Sequence, residues 1–151
     1  MTSRAKKVVI ALSVVLGVCV LFVFGVLTAA AIMGFNAASR AGNEAATVQN
    51  LKTIAAVEIQ YFQTNNRTYG TLDQLISKQF LSSKFAGHPT VADGYVFTLS
   101  ITRKPDGASW YKLTADPNNK SEGTSHFYLD SDNDGIRVNS VRQAGPDDPP
   151  I

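Results

Sequence analysis

Residues 8–35 read VVIALSVVLGVCVLFVFGVLTAAAIMGF, 28 positions without a charge, and this run decides the fold. At ~1.5 Å of rise per residue a helix of that length spans roughly 42 Å, more than the ~30 Å hydrocarbon core of a bilayer. Three basic residues precede it (Arg4, Lys6 and Lys7), and the next charges are Arg40 and Glu44. By the positive-inside rule this asymmetry keeps the N-terminus cytoplasmic and puts the residues after about 36 outside. From Ala38 to Phe62 there is no proline, and Gly42 is the one glycine. The helix that starts in lipid is therefore predicted to continue into water and carry a small head.

Without its first 35 residues the chain has 116, enough for one small domain. Those 116 hold 11 Lys+Arg and 12 Asp+Glu, a formal charge of −1; the +2 of the whole chain comes from the basic N-terminal cluster. No net charge argues for nucleic acid as a partner. Cys19 is the one cysteine, so no internal disulfide can form and the head must be held by its own core. Leu16-Gly17-Val18-Cys19 has a faint lipobox character, but Val18 is too large for its place and 16 apolar positions follow. A thiol facing lipid or a neighbouring helix is the better reading. Ala29-Ala30-Ala31 offers small residues of the kind signal peptidases accept. The apolar stretch before it exceeds the about 7–15 residues of a signal core, which favours a retained anchor.

Past the run, Val48, Leu51, Ala55, Ile59 and Phe62 recur at steps of three and four, one stripe of a helix. Ile54, Val57 and Tyr61 widen it, and Gln49, Lys52, Thr53, Gln60 and Gln63 take the other side. Thr71-Leu72-Asp73-Gln74 reads as a capping box opening a short helix from Leu72 to about Phe80. Beyond Gly87 the period becomes two: Tyr95, Phe97, Leu99 and Ile101 alternate with polar or smaller residues. Lys104-Pro105-Asp106-Gly107 is a turn. Residues 110–114, 126–129 and 136–138 give three more strands, so closely spaced that an antiparallel meander is expected. Asp116-Pro117 should break the second strand. The proline-rich tail, residues 146–151, should not extend the ladder.

The order is membrane helix, amphipathic extension, short helix, small antiparallel sheet. Asn43-Glu44-Ala45-Ala46, Asn50-Leu51-Lys52-Thr53-Ile54, Tyr61 and Thr68-Tyr69-Gly70-Thr71-Leu72-Asp73-Gln74-Leu75 lie along it. With His126-Phe127-Tyr128-Leu129-Asp130, Gly135-Ile136-Arg137 and Asp148-Pro149-Pro150-Ile151, they make residues 36–151 resemble bacterial type IV pilin-like and type II secretion pseudopilin-like proteins. The resemblance implies an α+β, pilin-like fold. It also implies a structural role beside other pilin-like subunits or the platform proteins of a pilus or secretion machine. Family members begin with a basic leader ending in glycine, and carry a glutamate five residues into the mature apolar helix. Residues 8–35 hold no acid here, and Gly34-Phe35 stands at the far end of the run. No leader cut is expected there, which makes a permanently anchored accessory component as good a reading as a filament subunit.

Asp130-Ser131-Asp132-Asn133-Asp134-Gly135 has the alternating carboxylates and glycine of the first half of a calcium loop, with Asp130, Asp132 and Asp134 as the ligands. Position twelve would be Val141 rather than a bidentate glutamate. The same residues suit a plain hairpin turn. His88 and His126 show no metal-ligand spacing. No nucleophile–base order or phosphate loop stands out, so a non-enzymatic protein is expected. Gly25 with Ala29, and Ala30 with Gly34, form small-xxx-small pairs suited to close helix approach in a membrane.

The sequence thus predicts a cytoplasmic basic segment (1–7), a transmembrane helix (8–35), its amphipathic extension (36–66) and a globular head with an αβ-loop and antiparallel sheet (67–151). The protein would sit in a bacterial inner membrane with its head periplasmic, or in a cell-surface filament. A signal-anchored periplasmic binding module, tuned by calcium or not, is the alternative.

Overall fold

The computed structural model describes the backbone of residues 3–151 and the side chains of residues 15–28, 30–133 and 135–151. With no proline before Pro89 and few glycines, nothing interrupts helix α1 (Ser3–Thr64). The chain divides into two compact units, Met1–Ala38 and Ser39–Ile151. The first is helical throughout its described backbone. Its one hydroxyl between residues 15 and 35, Thr28, donates back to the carbonyls of Phe24 (2.9 Å) and Gly25 (3.0 Å), so the helix satisfies its own polar side chain.

In the second unit α1 ends where Asn66 and Arg67 take left-handed backbone (φ 52° and 56°). The Asn65 amide caps the exit by donating to the Tyr61 carbonyl at 2.8 Å. Helix α2 (Leu72–Ser77) opens with the expected capping box: the Thr71 hydroxyl accepts from the Gln74 N–H at 3.2 Å, and the Gln74 side chain accepts from the Thr71 N–H at 2.9 Å. It stops short of Phe80 because Gln79 turns left-handed (φ 63°); Phe80 and Leu81 fold back to bond the Leu75 carbonyl. A 3-10 turn, Ser83–Phe85, leads to the sheet.

The sheet is a five-stranded antiparallel meander in sequence order: β1 (Thr90–Ala92), β2 (Tyr95–Arg103), β3 (Ser109–Pro117), β4 (His126–Asp130) and β5 (Asn133–Asn139). Register places Phe97, Ala115, Phe127 and Val138 in one row, and Leu99, Leu113 and Leu129 in the next. These rows join Leu51, Ile54 and Tyr61 of α1 and Leu75 of α2 in one hydrophobic core. Phe85 meets Phe97 edge-on at 5.5 Å, and Tyr61 meets Phe80 edge-on at 6.0 Å.

Three further sequence expectations change. Strand β1 was not foreseen; it pairs with β2 through the two-residue turn Asp93-Gly94, both at positive φ (49° and 79°), a turn chemistry suited to tight hairpins. Strand β3 runs on through Asp116 to Pro117, because a proline at the last position of a strand removes no needed donor. The tail does extend the ladder. Val138 N–H donates to the Pro149 carbonyl and Ile151 N–H to the Ile136 carbonyl, each at 3.0 Å, flanking an Arg137–Pro150 bridge. Pro150 thus sits where the alternating antiparallel pattern asks for no N–H. Asp148, buried, anchors this tail: it accepts from the Asn139 amide and the Gly145 N–H (both 2.8 Å) and from Arg142, while Arg137 donates to its carbonyl.

The loop between β3 and β4 passes so close to the core that a Cβ on Gly123 would overlap the hydroxyl of buried Tyr95. Gly123→Ala should therefore cost about 1–3 kcal/mol, seen as a lower urea midpoint. Gly145→Ala, where a Cβ meets open space, should stay within about 0.5 kcal/mol.

Candidate functional site

Two surfaces stand out, one on each unit. In the first, every described side chain from Val15 to Phe35 is exposed, including Leu21 and Phe35 at 74% and Phe22 at 72%. So much apolar side chain on one helix cannot stay in contact with water. The helix is long and apolar enough to cross a membrane. Cβ atoms built on Gly25 and Gly34 meet nothing within 4 Å, so the small-residue positions lie on open surface. Ala30 is exposed too, whereas the side chain of Ala29, like those of Arg4, Lys6 and Lys7, lies outside the described residues.

In the second unit the buried stripe of α1 is Thr47, Asn50, Leu51, Ile54, Glu58 and Tyr61. The predicted stripe has the right period but its centre is displaced by one residue. Leu51 is fully buried, and Val48 and Ala55 pack partly against the core. Phe62 is half-buried and stacks on Tyr69 (ring centres 4.7 Å), while Ile59 is 55% exposed. The physical reason is that half the stripe is polar, and Asn50 and Glu58 find partners on the head, which hydrophobic periodicity cannot register.

Those partners form three clamps. The Asn43 amide donates to the Glu122 carbonyl at 2.9 Å. Beside it, Glu44 accepts from the N–H and hydroxyl of both Thr124 and Ser125 at 3.0–3.2 Å. Burial pushes the Glu44 carboxyl up, but these four donors together hold it below its ordinary value. Two turns on, the Asn50 amide donates to Asp93 at 2.7 Å, and Lys84 reaches Asn50 (2.7 Å) and Asp93 (3.3 Å). The Asn50 hydrogen bond leads in holding Asp93 below its ordinary value. Two turns further, fully buried Glu58 accepts from the Gly70 N–H at 2.9 Å through Oε2, and its Oε1 is buried without a hydrogen-bond partner. Burial raises this carboxyl to about 7. Glu58 escaped the sequence reading, although one acid inside Ala55-Ala56-Val57-Glu58-Ile59 is a legible signal.

The displaced apolar residues are not idle. Ala55, Ala56 and Ile59 face Tyr111, Leu129 and Ile136 across a groove of about 530 Å³, with Lys52 and Asp130 also on its wall. Tyr69 stands between Phe62 and Tyr111, edge-on to the latter at 4.7 Å.

The acidic loop forms the β4–β5 hairpin. Asp130 is buried; its Oδ1 accepts from the N–H groups of Asp132 and Asn133 (2.9 Å each), and its Oδ2 from the Tyr128 hydroxyl (2.9 Å). Asp132 binds Lys104 through both oxygens at 2.8 Å. The Asp134 side chain lies outside the described residues. In this arrangement the oxygens of Asp130 and Asp132 are engaged by internal donors, and among the described residues, which leave out the Asp134 side chain, no group of three acids, histidines or cysteines is placed to hold a metal. His88 lies within 3.3 Å of Asp73 on the surface, and His126 Nδ1 bonds Asp116 at 2.6 Å.

No protein-family model matches the chain. No curated protein and no solved structure matches it either.

Glu58 makes stability depend on pH. Its folded value, about 7, lies above the ordinary 4.5, so the folded state holds the proton longer. The contribution is fully favourable below pH 4.5, is lost as pH rises through 7, and is constant beyond. Glu58→Gln cannot titrate. Urea unfolding of both chains should show wild type ahead at pH 5, with the gap closing by on the order of 2 kcal/mol at pH 8.

Proposed function

We propose that this protein is a structural, membrane-anchored component of a type IV pilus or type II secretion-type filament system, pilin-like or pseudopilin-like in build. The observation that carries the reading is α1 itself. One helix presents exposed Val, Leu and Phe side chains from residue 15 to 35, then clamps a five-stranded meander through Asn43, Glu44, Asn50 and Glu58. Apolar helices that leave lipid side by side bury surface that water would otherwise meet, which is how such a chain would assemble with its neighbours. In this reading residues 8–35 cross a bacterial inner membrane, the basic segment stays cytoplasmic and the head is periplasmic. Partners are other pilin-like subunits or platform proteins, with no catalytic role. Without an acid in the apolar run, the chain fits an anchored accessory component as well as a filament subunit.

The groove beside Ile59 favours a second reading, a signal-anchored periplasmic interaction module that takes an apolar segment of a partner.

Mass spectrometry of the mature N-terminus, on membrane, periplasmic and sheared surface fractions, tests the anchor. The expected result is a chain that stays with membranes through alkaline carbonate and still carries residues 8–35. A soluble periplasmic chain beginning near residue 32 would overturn it. Recovery in the sheared fraction with a start directly after a glycine would assign it to the filament rather than to the machine's base.

A further inference from the structure

A depression of about 690 Å³ lies on the second unit, its polar wall made by Arg40, Asn119, Lys120, Thr124, His126 and Ser140. No carboxylate lines it. Arg40 comes from α1, Lys120 and Thr124 from the β3–β4 loop, His126 from the start of β4 and Ser140 from just past β5. Four segments distant in sequence thus bring two fixed cations and two hydroxyls to one place.

The arginine carries the decisive detail. Arg40 Nε is buried and has no hydrogen-bond partner. A guanidinium N–H left without an acceptor is costly, and the head supplies Arg40 Nε with none. Among the described residues neither Arg40 nor Lys120 forms an ion pair, although acids stand close behind the wall. Glu44, one helical turn from Arg40, has its oxygens taken by Thr124 and Ser125. Asp116 is taken by His126 Nδ1 at 2.6 Å and by the Gln143 amide at 2.7 Å. The Asn119 amide is turned to Glu122 (3.3 Å). Glu44, Asp116 and Glu122 are thus engaged by neighbouring donors, and none of them pairs with Arg40 or Lys120.

We propose that this pocket binds a phosphate group, held by the Arg40 guanidinium and the Lys120 ammonium with the Ser140 hydroxyl as a further donor. A tetrahedral oxyanion has acceptors enough for three donors converging from different segments, where a carboxylate has two oxygens. The phosphate could belong to an anionic phospholipid headgroup or to a soluble phosphate ester. In the sequence Arg40 is the first charge after the apolar run, five positions beyond Phe35, which suits a headgroup. That source rests on the membrane reading above; the soluble source does not.

The full chain in neutral maltoside micelles is titrated with glycerol 3-phosphate and with inorganic phosphate, acetate serving as the control, and binding is read by phosphorus NMR and calorimetry. In parallel, the chain is placed in phosphatidylcholine nanodiscs with increasing phosphatidylglycerol, and retained lipid is counted by native mass spectrometry. Wild type should bind the phosphate probes and not acetate. Arg40→Gln and Lys120→Gln should each weaken binding on the order of tenfold. Lys120 is exposed, so its substitution leaves the fold intact and decides the matter even if Arg40→Gln unfolds. Phosphatidylglycerol retention that the Lys120 variant loses identifies the headgroup; phosphate binding without lipid retention identifies a soluble ester. No phosphate binding, or binding and retention unchanged in Lys120→Gln, overturns the proposal. A chain that never enters nanodiscs yet binds phosphate refutes the membrane reading alone.

Discussion

A polar stripe buried on a helix is the constraint on which the head depends. Asn43, Glu44, Asn50 and Glu58 fall about two turns apart along α1, and each group meets a different part of the head: the β3–β4 loop, the β1–β2 turn and the segment before α2. Leu51, Ile54 and Tyr61 fill the spaces between them and supply the apolar burial that drives packing. Apolar residues alone would let the helix slide or rotate under the sheet at little cost. A slip of one residue would strip Asn43 and Glu44 of their partners and leave buried Asn50 and Glu58 without theirs, a far larger penalty. The polar groups therefore fix the register of an interface whose energy comes from its hydrophobic neighbours.

The sheet follows from local rules once that interface exists. Every neighbouring pair of strands is consecutive in sequence, so each pairing is local along the chain. Its edges are protected. Strand β1 is three residues long, and the far edge of β5 is covered by Pro149–Ile151, which Asp148 pins in place. Association through open strand edges is thereby discouraged.

Glu58 and Arg40 represent two outcomes of leaving a polar atom buried without a partner. Around Glu58 the walls are the packed core, and the carboxyl responds by holding its proton to about 7. Arg40 cannot neutralise itself in the same way, and it borders an open depression. The first can shed its charge by keeping a proton; the second stays charged. The acidic hairpin between β4 and β5 contrasts with both, because Asp130 and Asp132 find their donors inside the protein.

Patterns that depend on neighbours in sequence were legible in the chain. The uncharged run, the continuation of its helix past Gly42, the Thr71–Gln74 capping box and the period-two strands all follow from spacing and from local backbone chemistry. Asp93-Gly94 was equally local and would have revealed β1. Other features required the tertiary structure. The centre of the buried stripe fell on Asn50 and Glu58 rather than on Ile59, because what holds a polar side chain there is a partner 12 to 80 residues away in the sequence. The proline tail joined the sheet because only the alternation of ladder hydrogen bonds shows which N–H can be spared. The cationic pocket draws on four separated segments, and no spacing rule brings Arg40 to Lys120. Sequence alone thus determined which segments are helix, strand or apolar run, since those depend on near neighbours; the packed fold decided which polar groups meet, since that depends on contacts between residues far apart in the chain.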